Sequence, residues 1–595
     1  MATARSAAAL IVSRDEEARD VVAWYRHLLA STEPPRALPF APVSIGPTWQ
    51  WGPEGWVLPE LTLGWGVLAW TGVWLRGKAR GPWQYTPEQT RFILHYYAVD
   101  EAGVPLHHSA ALQRMKGWGK DPIAATVSAA SAFGPVTFDH WGPDGPVGRE
   151  ELDAWVQIVA VAQEQTQNTM KLFPGLISPE ARAYYGIQIG KRNVWGMGDT
   201  RQIQAVTSSP LALEGGRPTQ IIRNETQNWL SANSGHDMAG VMEGNAAKRD
   251  IGSPARILDI FNAHRAGEDS VAERVREAWE STQGDIDAAD EADRPSFAEF
   301  GLMYDSLEAP PDAPMTATAI GDVVEGVRGD AIWVDLDRVK KSVLNPMNAP
   351  SESRRKWYNQ SAAPEDSWTT PQVWDPLGRP DAKVERGEEV ALFLDCSKSD
   401  DATALVGCRI VDGHVFTLGM WQRPPGERGR NWLVPRGKVD AAVTTAFETY
   451  KVVAFFGDPS HTLDDETLTR FWDTLFDGWH RKYKTVLKVW AHPGKDAGNA
   501  VMFDMALPEN QKKFTEAVAV TEAEMDAKAL SHDGDPRLRH HVLNARRHPT
   551  RYGMSIAKNA RESSKKIDLA VCMVGARMAR RIYLNTRTKK GGRVW

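Results

Sequence analysis

The sequence predicts an α/β protein with two large domains, the first built on a mostly parallel sheet and the second on a mixed sheet. Three nearly continuous apolar runs, at 156–162, 219–223 and 255–261, are typical of strands buried in a parallel sheet, and helical segments separate them. Further along, Asp412-Gly413 between two strand-like runs predicts a hairpin. A chain of 595 residues is also too long for a single core.

The N-terminal part of the first domain contains three recognisable segments. Residues 1–55 combine Pro and Ala with scattered Trp and are predicted to form an extended arm. The uncharged run 61–75 is too short for the roughly 20 residues that span a bilayer, so it predicts a Trp-rich helix or strand entering a core and no membrane insertion. Thr86 and Pro87 are a typical helix start, and the helix is expected to continue through Tyr96.

The later segments divide the chain. A mixed stretch rich in Arg and Trp after Trp333 is interpreted as the end of one domain and a linker. The second domain is expected to open with a strand at 390–395 and to close with an amphipathic helix from about Ser563. The predicted organisation is an arm at 1–55, a first domain at 56–320, a linker or lid at 321–385 and a second domain at 386–595.

Charge is distributed unevenly along the chain. The formal net charge is −6, yet residues 531–595 hold 16 Lys and Arg against four Asp and Glu. A basic end on an acidic protein predicts a polyanionic partner there, the alternative being a solvated tail. The three cysteines have no C-x-x-C spacing and indicate a reducing compartment.

A loop that could hold phosphate precedes a predicted helix at 120–125. Gly117 and Gly119 permit positive φ and a close approach of backbone N–H groups to a ligand. Lys120 would then place its charge at the helix N-terminus, where anions are favoured. The full G-x-x-x-x-G-K-[ST] pattern has Gly where Arg114 stands and Ser or Thr where Asp121 stands. A surface turn is therefore the alternative.

A carboxylate follows the apolar run at 219–223. Glu225 at the end of a strand beside a phosphate loop could orient a water molecule for attack on a γ-phosphate. The usual Asp before that Glu is replaced by Asn224, whereas the loop carries Asp121 in place of Ser or Thr. The number of carboxylates facing a magnesium ion is thus unchanged, and we hypothesise that Asp121 holds the ion.

A second constellation consists of Asp395, Asp458 and Asp568. The first two end predicted strands and the third lies early in a predicted helix. Converging carboxylates repel unless cations neutralise them, and oxygen ligands suit Mg²⁺ or Mn²⁺. A pair of such ions would support phosphodiester cleavage, although an isolated Asp at a strand end is more often a turn residue. Possible fourth ligands are Asp400, Asp401 and Asp535.

Basic residues surround the third of these aspartates and could hold a DNA backbone against the metal ions. They are Arg546, Arg547, Arg551, Lys558, Arg561, Lys565 and Lys566.

The order of these motifs resembles the large terminase subunit of tailed bacteriophages. The resemblance extends from about Leu61 to Ile582. It is carried by Gly117-Trp118-Gly119-Lys120, Asn224-Glu225-Thr226-Gln227, Phe261-Asn262-Ala263, Tyr304-Asp305-Ser306, Phe456-Gly457-Asp458-Pro459 and Lys566-Ile567-Asp568.

The resemblance implies a P-loop ATPase domain followed by an RNase H-like nuclease domain, with ATP and Mg²⁺ or Mn²⁺ as cofactors. It implies that Glu225 is the catalytic glutamate, that Asn262 senses the γ-phosphate and that Gln89 contacts adenine. Nuclease metal ligands and catalytic residues would be Asp395, Asp458 and Asp568. The remaining nucleotide-binding residues would be Arg114, Lys116, Gly117, Gly119, Lys120, Asp121 and Asn224. An arginine finger from a neighbouring subunit is expected at Arg182, Arg192 or Arg201.

The function implied is a motor that translocates double-stranded DNA into a procapsid and an endonuclease that cuts the concatemeric genome. Expected partners are the portal protein, a small terminase subunit and further copies of the chain in a pentameric ring, in the host cytoplasm. One alternative is a resolvase-like nuclease whose first domain only binds nucleotide. A structural phage protein with decayed sites is the other.

Overall fold

The computed structural model describes residues 2–34, 38–207, 213–248, 254–281, 301–361, 366–399, 401–424, 430–464, 468–494, 498–558 and 565–591. The chain forms two compact units, Met1–Ala362 and Ala363–Trp595. No described helix combines the length and the apolar character needed to cross a membrane.

The first unit is built on one large sheet, which has nine strands within the described residues. Its six central strands are parallel, and the strands added at both edges are antiparallel. In spatial order the strands are Val43–Ile45, Leu302–Glu308, Ser109–Gln113, Arg256–Phe261, Gln220–Asn224, Trp155–Val159, Arg201–Val206, Asn193–Gly196 and Gln188–Ile189. All three predicted apolar runs are central parallel strands, so the prediction of a mostly parallel sheet is confirmed.

Helices flank this sheet. In the first unit they are Ala2–Ala30, Gly64–Trp74, Pro87–Tyr96, Lys120–Phe133, Gln163–Met170, Phe173–Leu176, Pro179–Tyr185, Gly235–Ala246, Val271–Ser281, Ile320–Arg328, Leu336–Val343 and Pro350–Trp357. The predicted start at Thr86 is confirmed, because its side chain accepts from the Gln89 N–H and the Gln89 side chain accepts from the Thr86 N–H.

The N-terminal segment differs from the prediction of an extended arm at 1–55. Residues Ala2–Ala30 are helical, and Tyr25 and Leu29 are buried in the core of the first unit. The prolines begin only at Pro34, and the preceding residues are rich in alanine, the strongest helix former. The predicted arm at 1–55 combines this alanine-rich helix with the proline-containing stretch that follows it.

The segment 321–385, predicted to be a linker, does not form a separate part of the fold. Helix Ile320–Arg328 buries an apolar face in the first unit, and Tyr358 O accepts a backbone hydrogen bond from Ala309. Asn359 Nδ2 donates to Gln113 O at 3.2 Å, directly beside the phosphate loop. The first unit thus continues to Ala362, whereas Trp368 and Trp374 of this stretch are buried in the core of the second unit.

The second unit is built on a four-stranded sheet within the described residues. In spatial order the strands are Val415–Trp421, Thr403–Arg409, Glu389–Asp395 and Lys451–Asp458. The first three strands pair with one another in antiparallel orientation, and the fourth pairs in parallel with the third, which confirms the predicted mixed sheet. The helices are Pro371–Trp374, Arg436–Thr449, Asp473–Tyr483, Pro508–Asp526, Pro536–Asn544 and Asp568–Gly591.

The C-terminal helix packs against the small sheet. It begins at Asp568, whereas the predicted start at Ser563 lies outside the described residues. The predicted apolar stripe is buried, with Val571 and Val574 in the core. Cys572 Sγ donates to Ala404 O at 3.0 Å, which fixes the second turn of this helix against the sheet.

Candidate functional site

A glycine-containing loop joins strand Ser109–Gln113 to helix Lys120–Phe133 at the carboxyl edge of the large sheet. Gly117 has φ 86° and Gly119 has φ 108°, in the left-handed region that favours glycine. Because parallel strands end at one edge, the first residues after the neighbouring strands lie beside this loop. The edge is where α/β sheets of this kind bind ligands.

Lys120 is the most constrained polar residue of the loop. Its ammonium donates to Arg114 O at 2.8 Å, to Met115 O at 3.1 Å and to Asn262 Oδ1 at 2.6 Å. Burial lowers the Lys120 pKa to about 8, although the Glu225 carboxylate opposes this shift. All three contacts are to uncharged oxygens. An anionic ligand would therefore stabilise the charged form of Lys120 more than these contacts do.

A pair of acidic residues, the buried Glu88 and its neighbour Asp330, lies beside the loop, and Glu88 contacts the loop through Trp118. Trp118 Nε1 donates to Glu88 Oε2 at 3.4 Å, and Asp330 N donates to Glu88 Oε1 at 2.9 Å. The Glu88 N–H in turn donates to Asp330 Oδ2 at 2.7 Å. Burial, and after it the charge of Asp330, raises the pKa of Glu88 to about 8.

This pair predicts a pH-dependent stability. The folded state keeps a proton on Glu88 that the unfolded chain has already released, so stability falls as pH rises from about 4.5 through about 8. We expect Glu88→Gln, which preserves the shape of the protonated acid, to have a melting temperature that declines less between pH 6 and pH 9. Melting curves of both proteins across this range test it. Parallel declines would contradict this assignment.

Glu225 follows strand Gln220–Asn224 in a left-handed conformation with φ 57°, which is uncommon for a residue other than glycine. Its N–H donates to Ile260 O at 2.8 Å, and Gln227 Nε2 donates to its carboxylate. The strained backbone is thus held by a bond to the neighbouring strand, and strain of this kind is often found at functional sites.

Asp121 and Asn224 come together as the hypothesis requires. Asn224 Nδ2 lies 3.3 Å from Asp121 Oδ1, and Thr169 Oγ1 donates to the same oxygen at 3.0 Å. Thr169 was not anticipated from the sequence, because it lies 48 residues from Asp121 on a separate helix. The three residues form a polar pocket beside the loop.

Gln89 and Trp333 flank the last glycine of the loop. A methyl group placed on Gly119 would lie 3.5 Å from Gln89 Nε2 and 3.5 Å from the Trp333 ring. Trp333 Nε1 also donates to Gly117 O at 2.9 Å, while 52% of the residue remains exposed. Trp333 was missed from the sequence, since it had been assigned to the linker.

Two residues predicted to bind nucleotide are placed differently. Arg114 is buried, forms an ion pair with Asp305 and lies against Trp118, so its charge is used inside the first unit. A carboxylate in the core already neutralises the Arg114 side chain, and a role of Arg114 in nucleotide binding stays a prediction. Lys116 is exposed on the loop, and its N–H donates to Lys356 O at 2.8 Å.

The three arginine-finger candidates are in different environments. Arg201 is buried and forms an ion pair with Glu150 at 2.7 Å, so it cannot reach another subunit. Arg182 donates to Pro174 O at 2.5 Å. Arg192 is exposed. Of the three, Arg192 has the freedom that a residue acting across subunits needs.

Asp395, Asp458 and Asp568 define the site in the second unit. Asp395 and Asp458 are direct partners on adjacent parallel strands, so their side chains leave the same face of the sheet. Asp568 is the first residue of the helix that packs against these strands. The predicted strand, strand and helix positions are therefore confirmed.

The charges of these aspartates are mutually unfavourable. Burial, followed by the charges of Asp568 and Asp458, raises the pKa of Asp395 well above its ordinary value. Burial also raises the pKa values of Asp458 and Asp568 to about 6. The carboxylates are close enough to interact electrostatically, and a cation between them would relieve the repulsion.

The fit of this site to a metal ion can be tested on its atoms. Among the described residues, no three His, Cys, Asp or Glu side chains already surround one point as a complete metal site. However, Asp568 Oδ2 is buried without a hydrogen-bond partner. A buried carboxylate oxygen in that state suits a cation, so the donor set fits a divalent ion once the side chains adjust around it.

The proposed fourth ligands are only partly supported. Asp401 forms ion pairs with Lys558 and with Lys566, and its charge reaches Asp395. Asp535 caps helix Pro536–Asn544 and pairs with Arg537, so the prediction for Asp535 is wrong. Asp400 and Arg561 lie outside the described residues.

Asp504 is a further carboxylate of this site that sequence inspection missed. Its charge helps to raise the pKa of Asp458, after burial and against a backbone hydrogen bond from Met505. His461 and Arg470 lie 3.0 Å and 3.4 Å from its two oxygens. Asp504 follows an irregular segment with no strand pattern. The bridge between Gly457 and Met502 and the Met505 N–H bond to Asp458 place it here.

Comparison with known proteins identifies relatives across both units. The chain is 40% identical over 619 aligned residues to the Gene 13 protein of Mycobacterium phage L5, covering 94% of this chain and 98% of that protein. It is 39% identical over 621 residues to the Gene 13 protein of Mycobacterium phage D29, with the same coverage. The chain belongs to the Gene 13 protein family of mycobacteriophages.

The Gene 13 family relationship covers more residues than either unit contains, so it includes both sheets. No family model matches this Gene 13 family chain. Among solved structures, the chain is similar to the large terminase of bacteriophage HK97, with 16% sequence identity and a TM-score of 0.40 over 87% of this chain and 100% of that chain.

Proposed function

We propose that this chain is the large terminase subunit of its phage, an ATP-hydrolysing motor that moves double-stranded DNA into a procapsid and a metal-dependent endonuclease that cuts the concatemeric genome. One observation carries the proposal: each unit has its own carboxylate site at the end of its strands. The first combines Lys120 with Glu225, and the second combines Asp395 with Asp458.

The first site has the groups needed to hydrolyse a triphosphate. The loop N–H groups and Lys120 bind phosphate oxygens, which replace the carbonyl oxygens that Lys120 now contacts. Glu225 accepts a proton from the attacking water, and Gln227 holds the Glu225 carboxylate in place. Asn262 contacts Lys120 directly, so it responds to phosphate at the loop.

A magnesium ion bound with ATP would neutralise charge on the phosphate oxygens. Asp121 and Thr169 are the residues that would hold it, with Asn224 donating to Asp121. This assignment rests on an exchange of residue types between the loop and the strand. Asn224 stands where the strand usually has Asp, and Asp121 stands where the loop usually has Ser or Thr.

The exchange can be tested by reversing it. We expect Asp121→Ser and Asn224→Asp each to lower magnesium-dependent ATP turnover roughly 100-fold, because each alters the number of carboxylates at the ion. The double variant restores that number and is expected to recover most of the activity. Steady-state ATPase assays over a magnesium titration measure this. Independent, multiplicative losses in the double variant would show that the two residues do not share an ion.

Trp333 provides a second test of the first site. Its ring and the Gln89 amide flank Gly119, so we propose that they hold the adenine base between them. Trp333→Ala is expected to weaken ATP binding roughly tenfold and to leave tripolyphosphate binding unchanged, because the base loses its stacking partner. Calorimetric titrations of both ligands test this. Trp51→Ala, at another exposed tryptophan, is the control.

The second site is proposed to cut DNA. Divalent cations, when bound, would activate water and stabilise the leaving oxygen. Asp395, Asp458 and Asp568 would hold the cations. The exposed Arg547 and Arg551 of the hairpin formed by Arg546–Thr550 and Gly553–Ala557 would hold the DNA backbone, whereas Arg546 is buried and donates to Ser367. Lys558, directly after this hairpin, is held near the carboxylates by Asp401.

Purified protein tests the whole proposal. We expect ATP hydrolysis that increases on addition of double-stranded DNA, together with cleavage of plasmid DNA in Mg²⁺ or Mn²⁺. Cleavage without ATP hydrolysis would favour the resolvase-like alternative. The departures from the usual residue types at Asp121 and Asn224 also favour that alternative. Absence of both activities would contradict the proposal. In this function the chain acts as a pentameric ring with the portal protein and a small terminase subunit, in the host cytoplasm.

A further inference from the structure

A partly enclosed cavity of about 350 Å³ lies in the first unit, away from the Lys120 loop. Gln220 and Arg256 line it, and they are paired first residues of adjacent parallel strands. The loop instead follows the end of strand Ser109–Gln113. The cavity is therefore at the opposite edge of the sheet, separated from the loop by about 17 Å of strand.

Arg256 is the unusual residue of this cavity. It is only 6% exposed, and its guanidinium lies 3.8 Å from the centre of the Tyr96 ring and 4.8 Å from that of Tyr97. Its Nε and Nη2 atoms are buried without a hydrogen-bond partner. Within the described part of the chain, no acidic side chain forms an ion pair with it.

A buried guanidinium without an anionic partner is energetically unfavourable. The attraction of aromatic faces for a guanidinium is weaker than the cost of removing an unpaired charge from water. The nearby histidines do not supply an anion. Burial, and then the charge of Arg256, lowers the pKa of His107 to about 4 and also lowers the pKa of His108.

The rest of the cavity determines what kind of anion fits. One wall contains Glu151, whose carboxylate accepts a hydrogen bond from Thr137 Oγ1 at 3.4 Å. Glu151 is therefore already paired with a neighbour on that wall. The apolar wall consists of Leu63, Val104, Pro105, Val136 and Phe138. Since a water molecule occupies about 30 Å³, the volume has room for roughly a dozen non-hydrogen atoms.

We propose that this cavity binds a small organic carboxylate, with its charged group against Arg256 and its apolar body against the wall that includes Val136 and Phe138. A guanidinium matches a planar carboxylate well, and a largely apolar wall would leave the further oxygens of a phosphate without donors. The site is separate from ATP hydrolysis and DNA cleavage.

Benzoate is a suitable probe, because it combines a carboxylate with an apolar ring of the right size. We expect benzoate to raise the melting temperature of the full chain by a few degrees in a saturable manner, as a ligand of the folded state does. Benzamide, which has the same shape without the charge, is expected to have no effect, and so is inorganic phosphate. Calorimetry should give one site per chain for benzoate.

Two variants locate the binding. Arg256→Met removes the charge and Val136→Trp fills the cavity, and both are expected to abolish the response to benzoate. Arg217→Met changes an exposed arginine of the same unit and should keep it. Without benzoate, Arg256→Met is expected to be at least as stable as the parent chain, since an isolated buried charge has been removed.

Several outcomes would overturn the proposal. These are an equal response to benzamide, a response to phosphate alone, retention of the benzoate response in Arg256→Met, or no response in the parent chain, which would indicate a cavity filled by water only. Should Arg256→Met fail to fold, the comparison of benzoate with benzamide in the parent chain and in Val136→Trp still decides the question.

Discussion

Asp458→Asn is expected to abolish DNA cleavage and to leave ATP hydrolysis unchanged. Asp458 is paired with Asp395 on the adjacent strand, and a neutral amide at this position removes a charged ligand of the proposed cations. Because such cations contribute several kcal/mol of transition-state stabilisation, cleavage should fall about 100-fold or more. Plasmid nicking in Mn²⁺ measures the first activity, and phosphate release measures the second.

The same variant should have an opposite effect on stability. In the metal-free protein, burial and then repulsion by the charges of Asp568 and Asp458 raise the pKa of Asp395, and burial and the charge of Asp504 raise that of Asp458. Removal of one charge relieves this repulsion, so the melting temperature of Asp458→Asn in EDTA should exceed that of the parent chain. The increase on adding Mn²⁺ should be smaller in the variant.

A matched control separates this effect from a general change of charge. Asp381→Asn makes the same substitution at an exposed position of the second unit. It should alter neither cleavage nor the stabilisation by Mn²⁺. Loss of cleavage in Asp381→Asn, or full cleavage in Asp458→Asn, would contradict the assignment of the site.

Local chemistry explains why much of the fold could be predicted. Thr86 with Pro87 starts a helix through contacts within four residues, and Asp412-Gly413 makes its turn in the same way. The buried strands were readable because strands in a parallel sheet are apolar on both faces. The pairing of Asp395 with Asp458 then followed, since both residues end such strands.

The missed features depend on contacts between distant residues. Trp333 reaches Gly117 across 216 residues, and no local pattern relates them. A nucleotide-binding role for Arg114 was implied by the family resemblance, whereas its ion-pair partner Asp305 is 191 residues away in sequence on the neighbouring strand. Asp504 follows no strand pattern. In each case the sequence showed the residue type but not its partner.

Glu225→Gln is expected to abolish ATP hydrolysis while ATP still binds. The amide keeps the size of the side chain and can no longer accept a proton from water, so turnover should fall roughly 100- to 10,000-fold. Lys120→Ala should instead lose binding, because the charge proposed to contact the phosphates is removed. Calorimetry with ATP and phosphate-release assays separate these two effects, and DNA cleavage without nucleotide should continue in both.

Two controls make this comparison specific. Glu243→Gln changes an exposed carboxylate on helix Gly235–Ala246 that pairs with Arg223, and it should keep most of the ATPase activity. If Glu225→Gln hydrolysed ATP at the parent rate, the base would have to be another group, and the left-handed backbone at Glu225 would lose its functional explanation. If instead Lys120→Ala bound ATP normally, the loop would be a structural turn, because the ammonium of Lys120 would not contact the nucleotide.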